Sequence, residues 1–106
     1  MKRIINGKLY DTDTATLMVT WSNDLRRSDH GHVTEHLYHT PRGNWFLHGK
    51  GGPATDWAET VNGNGRIAAS GLRALTPAEV IDWAERLTSA AEIFAIHAHL
   101  PDIEDA

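Results

Sequence analysis

The sequence predicts an α+β fold: an antiparallel β-sheet of hairpins packed against one long C-terminal α-helix. Three observations lead there. Residues 35–48 read as one hairpin. Residues 15–21 alternate as a half-buried strand. A complete capping box opens a helical pattern at Pro77. Strands come first and a helix last, which is the order of segregated layers rather than of alternating βαβ units.

Lys2 to Tyr10 is a small hairpin turned by Asn6-Gly7, a strong type I′ signal. Asp11-Thr12-Asp13-Thr14 is a second polar turn. From Ala15 to Trp21, alternation predicts Leu17, Val19 and Trp21 on one face and Thr16, Met18 and Thr20 on the other. Ser22 to His32 is the longest polar stretch and reads as an exposed loop, the kind of segment that often carries function.

The central hairpin turns at Thr40-Pro41-Arg42-Gly43. Pro presets φ for a type I turn, and Gly accepts φ > 0 at its end. Thr40 then faces Asn44, His39 faces Trp45, Tyr38 faces Phe46, Leu37 faces Leu47 and His36 faces His48. Strand alternation places Leu37, His39, Trp45 and Leu47 on one side, and His36, Tyr38, Phe46 and His48 on the other. Neither set is plainly polar, so both faces are expected to be at least partly covered.

Gly49-Lys50-Gly51-Gly52-Pro53 reads as a tight turn leaving that hairpin. It fails as a phosphate loop, because Gly43 and Gly49 enclose five residues and Gly51, not Ser or Thr, follows Lys50. Ala54 to Val61 is expected as a short helix carrying Trp57. Asn62-Gly63-Asn64-Gly65 is a tight turn, and Arg66 to Leu75 one strand interrupted at Gly71. Thr76 caps the last helix, Pro77 is its first residue and Glu79 completes the box. Val80, Trp83, Ala84, Leu87, Ala91, Phe94 and Ala98 recur at helical spacing and should face the sheet. Ile81, Ile93 and Ile96 fall off that stripe. They imply a helix buried on more than one side, or a break near Thr88-Ser89. Pro101 ends it.

The chain has 106 residues, 41% hydrophobic and 23% charged, with a formal net charge of −4. That is one soluble domain with a modest core, expected over residues 1–100, with 101–106 as a frayed tail. The charge argues against general affinity for nucleic-acid backbone. Absence of cysteine removes thiol nucleophiles, disulfides and thiolate metal sites. No stretch is apolar enough to cross a membrane, and Met1-Lys2-Arg3 leads into a strand rather than a signal peptide, so a cytoplasmic protein is expected.

Chemistry-bearing residues are few. His30 and His32 share one side of an extended segment, and His36 faces His48. Together they are an alternative ligand set for zinc or a similar metal, in a metal-binding or small hydrolytic domain; satisfied histidines on half-buried strands are the plainer reading. Glu35 and His36 are neighbours on one strand and point to opposite faces, so they do not form a base with its orienting carboxylate. No serine lies in a nucleophile-elbow context. The sequence therefore predicts neither an enzyme nor a cofactor. Of the tryptophans, Trp83 belongs to the helix stripe. Trp21 and Trp45 belong either to the core or to an open sheet face. Trp57 is the candidate for an exposed interface anchor, the alternative being a lid on a small core. The expected partner-binding set is Arg26, Arg27, Asp29 and Trp57, with Tyr38 and Trp45 where the sheet face that carries each is open. A nucleic-acid patch of Arg26, Arg27, Arg42, Lys50 and Arg66 is a second alternative.

Arg3 to Thr12, Leu37 to Leu47, Gly49 to Pro53 and Pro77 to Trp83 together resemble a family of small bacterial proteins carried largely on phages, plasmids and integrative elements. The resemblance spans most of residues 3–87 and is most specific in the hairpin. The stretch around His30 and His32, and everything from Thr88 onward, fall outside it. That family has no assigned enzymatic activity, so the resemblance supplies no catalytic residues. It implies a non-enzymatic interaction module, an anti-CRISPR or other anti-defence inhibitor that blocks a host protein or nucleoprotein complex sterically. Either a monomer or a homodimer is compatible with it.

Overall fold

The computed structural model describes residues 1–26, 28–61, 63, 65–87 and 96. It is mainly antiparallel β-structure with one described helix. β1 (Lys2–Ile5) and β2 (Lys8–Asp11) form the N-terminal hairpin, with Asn6 and Gly7 both at positive φ (51° and 79°), as a type I′ turn requires. β3 (Thr16–Ser22), β4 (Val33–His39), β5 (Trp45–Gly51) and β8 (Ala69–Leu75) make a four-stranded sheet in the order β3-β4-β5-β8. β6 (Glu59–Val61) and β7 (Gly65–Ile67) are a separate small hairpin. α1 runs from Pro77 to Leu87.

The central hairpin has the register expected from its turn. Thr40 N–H donates to the Asn44 carbonyl at 2.8 Å, Gly43 sits at φ 86°, and every pair from His39–Trp45 to His36–His48 is in place. The capping box closes at both ends: Thr76 N–H donates to Glu79 Oε1 at 2.9 Å, and Glu79 N–H to Thr76 Oγ1 at 3.2 Å.

Several local expectations are corrected. β3 does not alternate throughout, because a β-bulge lies between Leu17 and Val19. Leu17 opposes Tyr38 whereas Val19 opposes Leu37, so Leu17 leaves the face of Val19 and Trp21 and stands 50% exposed. Ala54 to Val61 is not a helix. It is an irregular return segment followed by β6: Ala54 N–H donates to the distant His30 carbonyl, the Thr55 carbonyl accepts from the Arg66 guanidinium, and Thr55 and Ala58 N–H make only turn bonds three residues back. The span Arg66–Leu75 is two strands, and the break falls at Ala68 rather than Gly71. The continuation of the helix past Leu87, Ile96 apart, and the tail 101–106 lie outside the described residues.

Both faces of the sheet are covered in part. On one, Val19, Leu37, Trp45, Leu47, Trp57, Val80, Trp83, Ala84 and Ile96 form the larger core. On the other, Tyr10 from β2 meets Phe46 edge-on (centroids 5.5 Å, 69°), and Tyr38 stacks on Phe46 at 5.0 Å. The N-terminal hairpin covers only one end of that second face, and Arg3 anchors it by donating to the Leu72 carbonyl at 3.1 Å.

A row of glycines shapes the first face. Glu35, Gly49 and Gly71 lie side by side on β4, β5 and β8, with Val33, Gly51 and Ala69 in the next row. Gly49 and Gly51 thus belong to β5, with Gly51 its last residue, and not to a turn. Lacking side chains, they let the return segment lie directly on the sheet backbone: the Trp57 indole rests on Gly49, and Thr55 on Gly51. A Cβ at Gly49 would overlap the Trp57 ring. Gly49→Ala is therefore expected to lower stability by about 1–3 kcal/mol, the usual range for overpacking. Denaturant unfolding, read with near-UV circular dichroism of the indoles, measures it; an unchanged midpoint would contradict this packing.

Candidate functional site

On the helix side of the sheet, a single side chain organises the surroundings. Glu35 is 8% exposed, on the core face of β4. Its Oε2 accepts from Trp57 Nε1 at 2.8 Å and its Oε1 from Trp83 Nε1 at 2.9 Å. A buried carboxylate needs donors, and an indole has only its N–H to give. Each group thus satisfies the other, and no buried side-chain nitrogen or oxygen among the described residues lacks a partner. Arg73 projects from β8 on the same face, with its guanidinium 4.5 Å from the Trp57 ring centroid, a cation–π contact.

These groups floor a cleft of about 510 Å³. Its walls come from three places: Trp21 and Val33 on the sheet, residues 54–57 of the return segment, and one stripe of α1. That stripe is Glu79, Asp82, Trp83, Arg86 and Leu87, spaced three and four apart so that they share a helix face. The charged groups are Glu35, Asp56, Glu79 and Asp82 against Arg73 and Arg86. Asp82 accepts from Arg86 Nε at 3.1 Å, and Glu79 serves the cap. The cleft therefore combines indole surface with an excess of carboxylate, a lining suited to an organic cation.

The opposite face of the sheet differs. Beyond the end covered by the N-terminal hairpin, it carries Thr20 and Ser22 from β3, Thr34 and His36 from β4, His48 and Lys50 from β5, and Ser70 from β8. The His36 and His48 rings lie 5.9 Å apart, tilted by 31°. His36 Nδ1 is hydrogen-bonded to Thr20 Oγ1 at 3.0 Å, and His32 Nε2 to Thr34 Oγ1 at 3.2 Å. Partial burial lowers the pKa of both His36 and His48, with the Lys50 charge adding to it. For His48, His36 and the N-terminal ammonium push the same way.

The expected site residues are dispersed. Arg26 and Asp29 are exposed in the loop after β3, while Arg27 lies outside the described residues. Asp29 Oδ1 accepts from Gly31 N–H at 2.8 Å, and Asn23 ties the two ends of that loop together. Trp57 is not an exposed anchor: it is 8% exposed, because Gly49 leaves it a seat and Glu35 takes its N–H. Trp45 is fully buried under the helix layer and offers no surface to a partner, and Tyr38 is half-buried against Phe46. Of the alternative metal set, only His36 and His48 are brought together. Among the described residues no three His, Asp or Glu side chains converge as ligands, so the four-histidine site is not assembled. The alternative basic patch is likewise spread over separate elements, with Arg42 at the hairpin tip, Lys50 on β5 and Arg66 on β7.

Glu35 is the residue that sequence reasoning missed. The signal was available: the hairpin register, extended one step past His36–His48, sets Glu35 beside Gly49 on the face of Leu37 and Trp45. A carboxylate there must find N–H donors. No helix among the described residues is long and apolar enough to cross a membrane. No protein-family model, curated protein or solved structure matches the chain.

Two measurements check this geometry. Glu35→Gln keeps the shape but turns an amide N–H₂ toward one of the two indole donors. It is expected to cost about 1–3 kcal/mol, the penalty for an unsatisfied buried polar group; chemical denaturation monitored by tryptophan fluorescence reads it. The second concerns pH. His36 and His48 have folded pKa values below their ordinary 6.5, so the folded state binds fewer protons than the unfolded one. Their contribution to stability is present above that value and is lost as pH falls through the lowered folded pKa values. The unfolding midpoint should drop from about pH 7 to about pH 5, and the doubly substituted His36→Gln, His48→Gln protein should show a shallower drop.

Proposed function

We propose that this protein is a non-enzymatic interaction module that docks on a host protein or nucleoprotein complex and blocks it sterically. The observation that carries the reading is the cleft beneath α1, where Asp56, Glu79 and Asp82 surround indole surface floored by Glu35. Such a lining complements Arg and Lys side chains. Proteins that hold nucleic acid present those side chains to phosphates. Capture of one of them would remove a nucleic-acid contact and occupy its approach at once. Exposed apolar side chains supply further contact surface: Ile4 and Leu9, which face each other across the N-terminal hairpin, are 72% and 60% exposed. The anti-CRISPR or anti-defence role within this reading rests on the resemblance to proteins of mobile elements.

The test is a titration with an arginine-bearing peptide and with its glutamate-substituted counterpart, followed by tryptophan fluorescence. The arginine peptide should give a saturable change that weakens with salt, and the glutamate peptide none. Asp56→Asn combined with Asp82→Asn should weaken binding roughly fivefold to thirtyfold, since two partly exposed charge pairs contribute about 0.5–1 kcal/mol each. Equal response to both peptides, or none to either, would remove the cleft from the proposal. Assays of host defence complexes in the presence of the protein then test the inhibitory step.

A further inference from the structure

The half of the second sheet face that the N-terminal hairpin leaves open is chemically unlike the rest of an acidic protein. Two rows of side chains cross it. Thr20, His36 and His48 make the first row, ending at Leu72; Ser22, Thr34, Lys50 and Ser70 make the second. His32 joins the second row through its hydrogen bond to Thr34. Each of the four strands contributes to this area, and none contributes a carboxylate: β3 brings hydroxyls, β4 a hydroxyl and an imidazole, β5 an imidazole and an ammonium, β8 a hydroxyl. The charges felt by His48 are all positive, from Lys50, His36 and the N-terminal ammonium; for His36 the charge is that of Lys50. A shallow depression of about 310 Å³ adjoins Lys50, lined also by His32, Gly51, Gly52 and Ser70.

We propose that His36, His48 and Lys50, with the hydroxyls of Thr34 and Ser70, form a binding site for a phosphate group. A phosphate presents several acceptor oxygens, and this array offers several donors within one patch: two imidazoles, one ammonium and two hydroxyls. The imidazole rings, 5.9 Å apart, are spaced to donate to one tetrahedral oxyanion from two sides. His36 is held in orientation by Thr20 through Nδ1, which leaves Nε2 directed elsewhere for a ligand. A cation is the poorer guest, because each charge near the pair is already positive. The site lies on the opposite side of the sheet from the acidic cleft and does not depend on the docking role proposed for it.

The experiment is an NMR titration of the histidine ring protons against pH, with and without inorganic phosphate, at matched ionic strength with chloride. Phosphate should raise the titration midpoints of His36 and His48 in a saturable way and leave that of His39, on the other face, unmoved. Lys50→Gln should weaken the phosphate dependence at least threefold while the backbone spectrum stays that of the folded protein. Midpoints that do not move with phosphate overturn the proposal, as do midpoints that chloride moves equally. A short single-stranded oligonucleotide supplies the second arm. If it binds at this face while inorganic phosphate does not, the phosphate-sized site is wrong and a nucleic-acid groove replaces it. Zinc that shifts both rings more tightly than phosphate would likewise overturn the choice of ligand.

Discussion

The rest of the structure hangs on the carboxylate of Glu35. It joins β4 to Trp57, 22 residues away, and to Trp83, 48 residues away. Those two indoles belong to the return segment and to α1, both of which cover the helix-side face. Burial of either indole without a partner for its N–H would be costly, and burial of the carboxylate alone would cost more. Together they specify one position for both covering segments. Nonpolar contact alone would tolerate sliding; two directed bonds to one carboxyl group do not.

The glycine row makes that arrangement sterically possible. Gly49 and Gly71 continue Glu35's row across β5 and β8, so the aromatic plane of Trp57 can approach the sheet backbone and still present its edge to the carboxylate. Arg73 then covers the ring. The cleft beside α1 is the remainder of this packing: a loop pinned low on the sheet and a helix pinned by Trp83 leave a gap between them, rimmed by the acidic stripe of α1. Geometry that stabilises the fold thus also defines the concave surface.

Strand alternation separates the electrostatics of the two faces. Glu35 and His36 are adjacent in sequence but serve opposite sides, one within an acidic, indole-lined cleft and the other within a patch of imidazole, ammonium and hydroxyl groups. The bulge in β3 has a comparable effect on a smaller scale. It shifts Leu17 to the side of Tyr38 and leaves Val19 and Trp21 with the larger core. One extra residue changes which surface a leucine decorates.

By itself the sequence determined the local elements whose rules are short-ranged. The type I′ turn at Asn6-Gly7, the Thr40–Gly43 turn with every pair of the central hairpin, and the capping box at Thr76–Glu79 follow from residue types a few positions apart. So did the core stripe of Val80, Trp83 and Ala84. Tertiary structure alone decided the path of residues 52–58, the bulge at β3, the split between β7 and β8, and the burial of Trp57. The path of residues 52–58 and the burial of Trp57 depend on contacts outside that segment: the seat on Gly49, the hydrogen bond to Glu35, the tie from Arg66 to Thr55. Local preference is weak in irregular segments, so the nonlocal contact prevails there. In a tight turn, the backbone dihedrals of two residues leave it little to decide.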